Sequence, residues 1–313
     1  MLIMTVAVAD ENRELPPAPR AFIADMARKH AFEQNALIRL FQQVSPQPTI
    51  LERIAKPAEA KPWHVYRKIF LTEARIQNGA VFWREHAQVL SWLQDRYGVP
   101  AEIIVAILGV ETGYGQNTGG FGVLEALYTL AFEYPKRADF FRAELEAFLL
   151  LCREENVDPL QPKGSYAGAM GLPQFMPSSY RRYAVDFDGD GRRDIWRDAN
   201  DAAASVANYF TAHGWRAGES ITLPATVAGN GHGALLDGDL KPHHPWSALQ
   251  AGGIQTTVDL ALGTPVKLLA LEQPDSVGYQ LALHNFYVIT RYNHSPLYAM
   301  AVYELGQAIK TRL

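Results

Sequence analysis

Cysteine is almost absent from this chain of 313 residues, because Cys152 is the only one. A single cysteine excludes an internal disulfide and a metal cluster built on cysteines. Apolar runs are also short, and none comes near the roughly 18 residues that a membrane-spanning helix needs. The net charge of −4, from 29 basic and 33 acidic residues, is too small to favour nucleic acid or an anionic membrane as a partner. The composition therefore predicts an ordinary globular protein with a large core.

The first ten residues, MLIMTVAVAD, leave two interpretations open. Ala7-Val8-Ala9 has the small-x-small form of a signal-peptidase site, and it ends a stretch of nine uncharged, mostly apolar residues. The basic segment that begins an export signal is missing. The stretch is either the remnant of an export signal, which we favour, or a vector-derived start. We expect disorder over residues 1–17 in both cases.

The spacing of apolar residues divides the rest of the chain. Between residue 18 and about residue 160 they recur every three to four positions, which predicts helices in segments such as AFIADMARKHAFEQNALIRLFQQV, AVFWREHAQVLSWLQDRYGV and DFFRAELEAFLLLCREE. A loop-rich stretch to Asp201 and a helix ended by Gly214 follow. Helical periodicity is then lost over 216–283, where short strands are predicted in ESITLPATV, TVDLALG and PVKLLALEQ. The last predicted helix, SPLYAMAVYELGQAIK, packs back onto the helical body.

A carboxyl group stands at the end of the most apolar helix, in the segment ILGVETGYG. Residues 101–110 carry one charge, Pro100 is placed to begin a helix, and Gly113 breaks the chain just after Glu111. Burial disfavours the charged form of a carboxyl group and raises its pKa, so Glu111 can hold a proton near neutral pH and act as a general acid. A carboxylate that pairs with arginine or caps a backbone is the alternative that these residues leave open.

A second chemical motif is the acidic segment DFDGDGRRD, Asp186 to Asp194. Its carboxylates at positions 1, 3, 5 and 9 and its glycine at position 6 match the start of an EF-hand calcium loop. The predicted ligands are Asp186, Asp188, Asp190 and the carbonyl group of Arg192. Position 12 is Arg197 instead of glutamate. A longer loop could close with Asp198 or Asp201, and we favour Asp201 because it opens the next helix. A solvated acidic turn is the alternative, but four close aspartates repel one another without a cation.

The segment GSYAGAMGLPQFMPSSYRRYAVD, from Gly164, mixes small residues with Gln174 and aromatic side chains. Small residues let a ligand approach the backbone, and amide and aromatic groups suit the edges and faces of sugar rings. A tightly packed junction between helices explains the same composition equally well.

Five segments in order closely resemble the membrane-bound lytic transglycosylase B family, which includes a soluble form: ILGVETGYG, YPKRADFF, GSYAGAMGLPQFMPSSYRRYAVDFDGDG, SVANYF and NFYVITRYNHSPLYAMAV. The resemblance extends from residue 18 to about residue 310. It implies a mainly α (α+β) fold, with a lysozyme-like core, a helical domain, a small β-rich insertion and an EF-hand-like loop in the core. We therefore expect five segments. They are a signal remnant or disordered segment over residues 1–17, a helical domain over 18–90, a catalytic core over 91–215, a β-rich domain over 216–283 and a segment returning to the core over 284–313.

The resemblance also implies an activity and a set of site residues. The family cleaves the β-1,4 bond between N-acetylmuramic acid and N-acetylglucosamine in peptidoglycan without water, which leaves 1,6-anhydromuropeptides. Glu111 matches its single catalytic acid/base, and Ser165 and Gln174 match groups close to that glutamate and to the sugar. The other positions that match its substrate groove are Tyr209, Tyr292, Asn293 and Tyr298.

Further expectations concern the cofactor, the partners and the location. The resemblance implies structural calcium, no organic cofactor, and peptidoglycan strands as the partner, with any protein partners drawn from cell-wall synthesis or division. The lipoprotein cysteine of membrane-anchored members is lacking, so we expect a soluble periplasmic form. Two rivals stay open: a lysozyme-type muramidase that uses the same acid with water, and a non-catalytic glycan-binding protein.

Overall fold

The computed structural model describes residues 13–55 and 61–313, so the suggested processing site at Ala7-Val8-Ala9 lies outside the described residues. Residues 13–16 fall in the stretch that we expected to be disordered, but they are anchored. The side chain of Leu15 is buried, and the Arg13 guanidinium donates to the carbonyl groups of Phe41 and Val44.

Helices dominate the described part of the chain. The α-helices are α1 Pro17–His30, α2 Gln34–Gln42, α3 Pro48–Ala55, α4 Trp63–Phe70, α5 Glu73–Glu85, α6 Ala87–Tyr97, α7 Ala101–Thr112, α8 Val123–Glu133, α9 Ala138–Glu154, α10 Pro177–Tyr183, α11 Ala199–Ala212, α12 Trp246–Ala251, α13 His284–Thr290 and α14 Pro296–Lys310. The strands are β1 Phe121–Gly122, β2 Lys163–Gly164, β3 Thr222–Val227, β4 His244–Pro245, β5 Ile254–Gln255, β6 Pro265–Glu272 and β7 Val277–Ala282. Within these residues, no helix is both long and apolar enough to cross a membrane.

The described residues form two compact units. One consists of residues 13–55 and 118–182, and the other of residues 61–117 and 183–313. In the first unit, α8 packs along α9 and also contacts α3, and the short strands β1 and β2 pair antiparallel. These units do not follow the five predicted segments, whose boundaries stay a prediction.

The second unit contains an antiparallel sheet in the order β4-β6-β7-β3-β5. The pairing of Leu268 with Leu281 aligns β6 with β7, and the pairing of Leu223 with Leu281 aligns β3 with β7. These three leucines point into a core that also contains the buried side chains of Trp246 and Leu249 from α12. Short strands become stable here because one face of the sheet is covered by apolar side chains.

The structure corrects two expectations about local elements. The predicted strand TVDLALG, residues 257–263, is irregular, since its Leu262 carbonyl accepts the amide of Ser247 in α12 instead of pairing in the sheet. Helix α12 itself lies in the stretch where no helix was expected. The first helical run is divided between α1 and α2 at Ala31, whose φ of 54° ends α1, and the second is divided between α5 and α6 at His86.

Candidate active site

Glu111 lies in the last turn of α7, and every residue before it in that helix is buried. The helix packs against α5, α11 and α14 of its own unit. Its other charged residue, Glu102, accepts a hydrogen bond from Lys310 at 2.8 Å, whereas Glu111 has no basic partner among the described residues. The alternative of an arginine-paired carboxylate is therefore not supported by the structure.

The chain turns away directly after Glu111, for reasons that the sequence contains. Gly113 adopts the left-handed conformation (φ 59°), and its amide donates to the Gly109 carbonyl at 3.0 Å, which ends the helix. The Tyr114 ring then folds back, and its hydroxyl donates to a backbone carbonyl of α5 at 3.0 Å. A Cβ atom on Gly79 or on Gly109 would lie only 2.4 Å from that hydroxyl oxygen. These glycines therefore make room for the ring that fixes the helix end.

The carboxyl group of Glu111 has one strong hydrogen-bond donor. The hydroxyl of Tyr298, in the first turn of α14, donates to Glu111 Oε1 at 2.5 Å. Burial raises the pKa of Glu111 to about 7, although the hydrogen bond from Tyr298 acts in the opposite direction. Near neutral pH both the acid and the carboxylate are therefore populated, which suits a group that first donates and then accepts a proton.

The charge of Glu111 affects the pKa values of two further tyrosines, Tyr66 and Tyr292. Burial raises the pKa of Tyr66 and of Tyr292, and the negative charge of Glu111 raises both further. All these phenols stay neutral and polar around the carboxyl group. No local sequence pattern marks Tyr66 as part of this site, because its spacing from Trp63 is typical of an ordinary helix core, and its ring does contact Trp63.

Tyr209 and Tyr292, both predicted groove residues, lie together. Their ring centroids are 4.8 Å apart, and Tyr209 also stacks on His213 at 4.0 Å. Tyr209 is only 7 % exposed, and its hydroxyl donates to the Arg291 carbonyl at 2.6 Å. This burial favours a role in supporting Tyr292. Asn293 is exposed between α13 and α14, and its role stays a prediction.

Ser165 and Gln174 belong to the other unit. The Ser165 hydroxyl oxygen accepts two backbone amides at 3.0 and 3.2 Å, which fixes a tight turn. Gln174 has a φ of 50°, and its side-chain amide donates to the carbonyls of Thr118 at 3.1 Å and Gly171 at 3.0 Å. Both side chains therefore hold backbone turns, and their predicted proximity to Glu111 stays a prediction.

The acidic loop has the shape of a cation site. Asp186, Asp188 and Asp190 each offer a carboxylate oxygen, and these oxygens lie within 4.8 Å of one another. Gly189 and Gly191 adopt positive φ values of 77° and 88°, and their amides donate to the two oxygens of Asp186 at 2.8 and 2.9 Å. The alternation of carboxylates and left-handed glycines thus curls the loop around one point.

Asp201 fastens this loop at both ends. Its Oδ1 accepts the Phe187 amide and its Oδ2 accepts the Asp194 amide, each at 2.7 Å. Burial raises the pKa of Asp201 to about 6, although these two hydrogen bonds lower it. Asp201 is not in the group of three close carboxylates. The side chain of Asp198 caps α11, and the choice of Asp201 as closing ligand stays a prediction.

Comparison with known proteins adds the family. The family described as Transglycosylase SLT domain matches residues 16–307. The membrane-bound lytic murein transglycosylase B of Escherichia coli (strain K12) is 45 % identical over 303 residues, which are 94 % of this chain and 82 % of that protein. The catenated lytic transglycosylase SltB1 of Pseudomonas aeruginosa superposes with a TM-score of 0.93 at 48 % identity, over 95 % of this chain and 98 % of that one.

Two other solved structures were determined with bound molecules. The lytic transglycosylase Slt35 of Escherichia coli, in complex with calcium, has a TM-score of 0.88 and 44 % identity, over 95 % of this chain and 93 % of that one. SltB3 of Pseudomonas aeruginosa, in complex with NAG-anhNAM-pentapeptide, has a TM-score of 0.83 and 34 % identity, over 93 % of this chain and 78 % of that one.

These matches confirm the resemblance and the predicted fold class, a mainly α protein with a small sheet and the lysozyme-like architecture of such enzymes. Matched along nearly its whole length by the family, the chain belongs to the Transglycosylase SLT domain family.

Proposed function

We propose that Glu111 is the only catalytic acid and base of this lytic murein transglycosylase. Enzymes of this class are lyases that act on peptidoglycan. The observation that carries the proposal is the setting of Glu111, a half-buried carboxyl group at the end of an apolar helix with a pKa of about 7. A carboxyl group of ordinary pKa would be almost fully ionised at pH 7 and a poor proton donor.

In the first step, Glu111 protonates the glycosidic oxygen of the bond between N-acetylmuramic acid and N-acetylglucosamine. We place this proton on Oε2, because Oε1 accepts the Tyr298 hydroxyl. The N-acetyl carbonyl oxygen of the muramic acid stabilises the cationic carbon as the bond breaks. The Glu111 carboxylate then takes the proton of the C6 hydroxyl, and that oxygen closes the 1,6-anhydro ring. The enzyme returns to its protonated form, and no water is consumed.

A hydrolytic route would call on a second carboxylate, as a base for water or as a nucleophile. Glu133 and Glu144 are the acids that the sequence left open for this role. Glu144 accepts hydrogen bonds from the hydroxyl and the amide of Ser178 at 2.7 and 2.9 Å. Its carboxylate therefore caps the start of α10. Glu133 is exposed at the end of α8. Neither setting supports a role as second catalytic acid, which favours the route without water.

For substrate binding, we propose that Tyr292 and Asn293 contact the glycan strand, whereas the roles of Ser165 and Gln174 stay predictions from the family resemblance. The ring of Tyr292, which packs at a tilt against buried Tyr209, offers an aromatic surface of the kind that sugar faces prefer. Since murein is an extracytoplasmic polymer, the enzyme acts in the periplasm.

We also propose that calcium binds the acidic loop through Asp186, Asp188, Asp190 and the Arg192 carbonyl. The three close carboxylates and the curled backbone are suited to a hard cation that takes oxygen ligands. The loop precedes α11, and Asp201 of that helix holds two loop amides. A bound cation would therefore stabilise the start of α11, which carries Tyr209, without entering the reaction.

The direct test of the catalytic role is Glu111→Gln, which keeps the shape of the side chain and can still accept the Tyr298 hydrogen bond. We expect turnover of purified peptidoglycan to fall by about 10²–10⁴-fold or more, because one residue serves both steps. The matched control is Glu304→Gln on α14, which removes a carboxyl group that pairs with Arg67 at 2.6 Å. If Glu111→Gln clears peptidoglycan at the parental rate, Glu111 is not the catalytic group.

A further inference from the structure

A second group of potential metal ligands lies beside the sheet, in a segment to which no role has been assigned. The segment 237–244 leads into β4 and contains Asp237, Asp239, His243 and His244. Asp237 Oδ2 lies 2.9 Å from His244 Nε2 and 3.4 Å from His243 Nε2. Ligand atoms of these three residues all lie within 4.8 Å of one another. One carboxylate oxygen and two imidazole nitrogens thus converge on one point.

Two of the atoms that do not converge, His243 Nδ1 and Asp237 Oδ1, contact other groups. His243 Nδ1 is 3.0 Å from the Lys241 carbonyl, a contact in which Nδ1 carries the hydrogen and Nε2 is left as the atom with a lone pair. Asp237 Oδ1 accepts the Lys267 ammonium at 2.8 Å and the Asp239 amide at 3.0 Å, so Oδ2 is the oxygen that faces the imidazoles. Metal-binding histidines and carboxylates are commonly oriented by outer hydrogen bonds of this kind.

Backbone pairing and hydrogen bonds connect this group to the sheet. His244 is the first residue of β4 and pairs with Val266 of β6. The next residue of β6, Lys267, is only 4 % exposed, and its ammonium group also donates to the Asp237 carbonyl at 2.9 Å. The sheet therefore holds both ends of the segment, and only small side-chain shifts are needed to close three ligands around an ion.

We propose that Asp237, His243 and His244 form a transition-metal site for Zn²⁺, with solvent as the fourth ligand. Two imidazoles and one carboxylate are a ligand set that zinc takes in proteins, whereas calcium and magnesium prefer sites made of oxygen alone. The site is thereby chemically distinct from the acidic loop at Asp186–Asp190. His243 is 41 % exposed, so an ion reaches the site from solvent.

The competing explanation is an ion-pair network without a metal, in which His243, His244 and Lys267 surround Asp237. Lys267 already balances the charge of Asp237 through Oδ1. The two explanations differ in their response to added metal, because the metal site predicts stoichiometric binding through nitrogen and the network predicts none.

The experiment titrates the chelator-treated protein with Co²⁺ at pH 7.5 in excess Ca²⁺, followed by competition with Zn²⁺. We expect one equivalent of Co²⁺ to give visible absorption bands typical of four-coordinate cobalt, and Zn²⁺ to abolish them. His243→Gln and His244→Gln should each weaken Zn²⁺ binding by at least about 10–100-fold, the loss seen even for outer-shell changes. Asp188→Ala in the acidic loop and His64→Gln on α4 should bind as the parent does.

His243→Gln is the decisive variant, because its side chain is exposed enough that the fold should be unaffected; an unchanged circular dichroism spectrum and melting temperature without metal check this. Parental Zn²⁺ affinity in this variant overturns the proposal. The absence of one-equivalent Co²⁺ bands in the parent also overturns it, and leaves the ion-pair network as the explanation. Neither result bears on the transglycosylase activity, which uses other residues.

Discussion

The hydroxyl of Tyr298 donates to Oε1 of Glu111 across 2.5 Å, which joins the first turn of α14 to the last turn of α7. The two effects on the carboxyl group are opposed. Burial raises its pKa to about 7, and the hydrogen bond stabilises the ionised form and limits that rise. Tyr298 is itself buried, at 3 % exposure. It therefore positions the acid, whereas its predicted place in the groove would require a surface that is open to sugar.

Tyr298→Phe should raise the pKa of Glu111 further, because the group that favours the carboxylate is lost. We expect the alkaline limb of the rate profile to move to higher pH. Turnover at pH 7 should fall by about 10–100-fold, because the carboxylate that forms as Glu111 gives up its proton loses a hydrogen bond that contributes roughly 1.5–3 kcal/mol. The measurement is turnover against pH. Tyr303→Phe, on the same helix and half-buried, is the control. An alkaline limb that does not move would contradict the assigned role of Tyr298.

Glu111→Gln should change how stability depends on pH. In the parent, the folded-state pKa of about 7 lies above the ordinary value of 4.5. The folded state therefore binds more protons than the unfolded state between these values, and stability falls as pH rises from 4.5 to 7. Glutamine removes this loss, so the variant should gain about 1–3 kcal/mol over the parent at pH 8 and little at pH 4.5. Urea unfolding at both pH values, with calcium fixed, measures the difference; equal gains at both would contradict the buried acid.

The helix end at Glu111 could be predicted from the sequence because its causes are local. Pro100 and Gly113 mark the ends of α7, and the apolar run between them is buried as predicted. Tyr66 could not be predicted, since its place beside Glu111 depends on how α4 packs in its unit, which no local pattern records. The strand predicted at 257–263 failed for a related reason. Its β-type run has an exposed Leu262 that meets no apolar face, and β-propensity without such a face does not make a strand.

The acidic loop should make stability depend on calcium. A ligand that binds only the folded state raises the melting temperature by mass action, so chelation should lower it. Asp188→Ala should blunt the response to added calcium, whereas Asp275→Ala, at the exposed turn between β6 and β7, should leave it intact. The melting temperature of each protein, measured with and without calcium, shows whether calcium stabilises the fold through this loop. A parent that does not respond to chelation would rule out a calcium site that contributes to stability.

Tyr292 and Tyr209 should behave differently when changed to alanine. Tyr209 is buried against several rings, so Tyr209→Ala should cost about 3–5 kcal/mol of stability and reduce activity through the fold. Tyr292 is half-buried, and Tyr292→Ala should raise KM with a smaller loss of stability. Melting curves measured beside KM and kcat separate the two effects. If both variants lose stability and activity in proportion, Tyr292 only packs the core.

Digestion of purified peptidoglycan in H₂¹⁸O, with mass analysis of the released muropeptides, shows whether a single carboxyl group cleaves the bond without water. In the proposed route the C6 oxygen of the sugar closes the ring. We therefore expect products that are one water lighter than hydrolytic products and contain no ¹⁸O. Reducing-end muropeptides that carry one ¹⁸O atom would contradict it, because their new hydroxyl group would come from solvent and the enzyme would be a hydrolase.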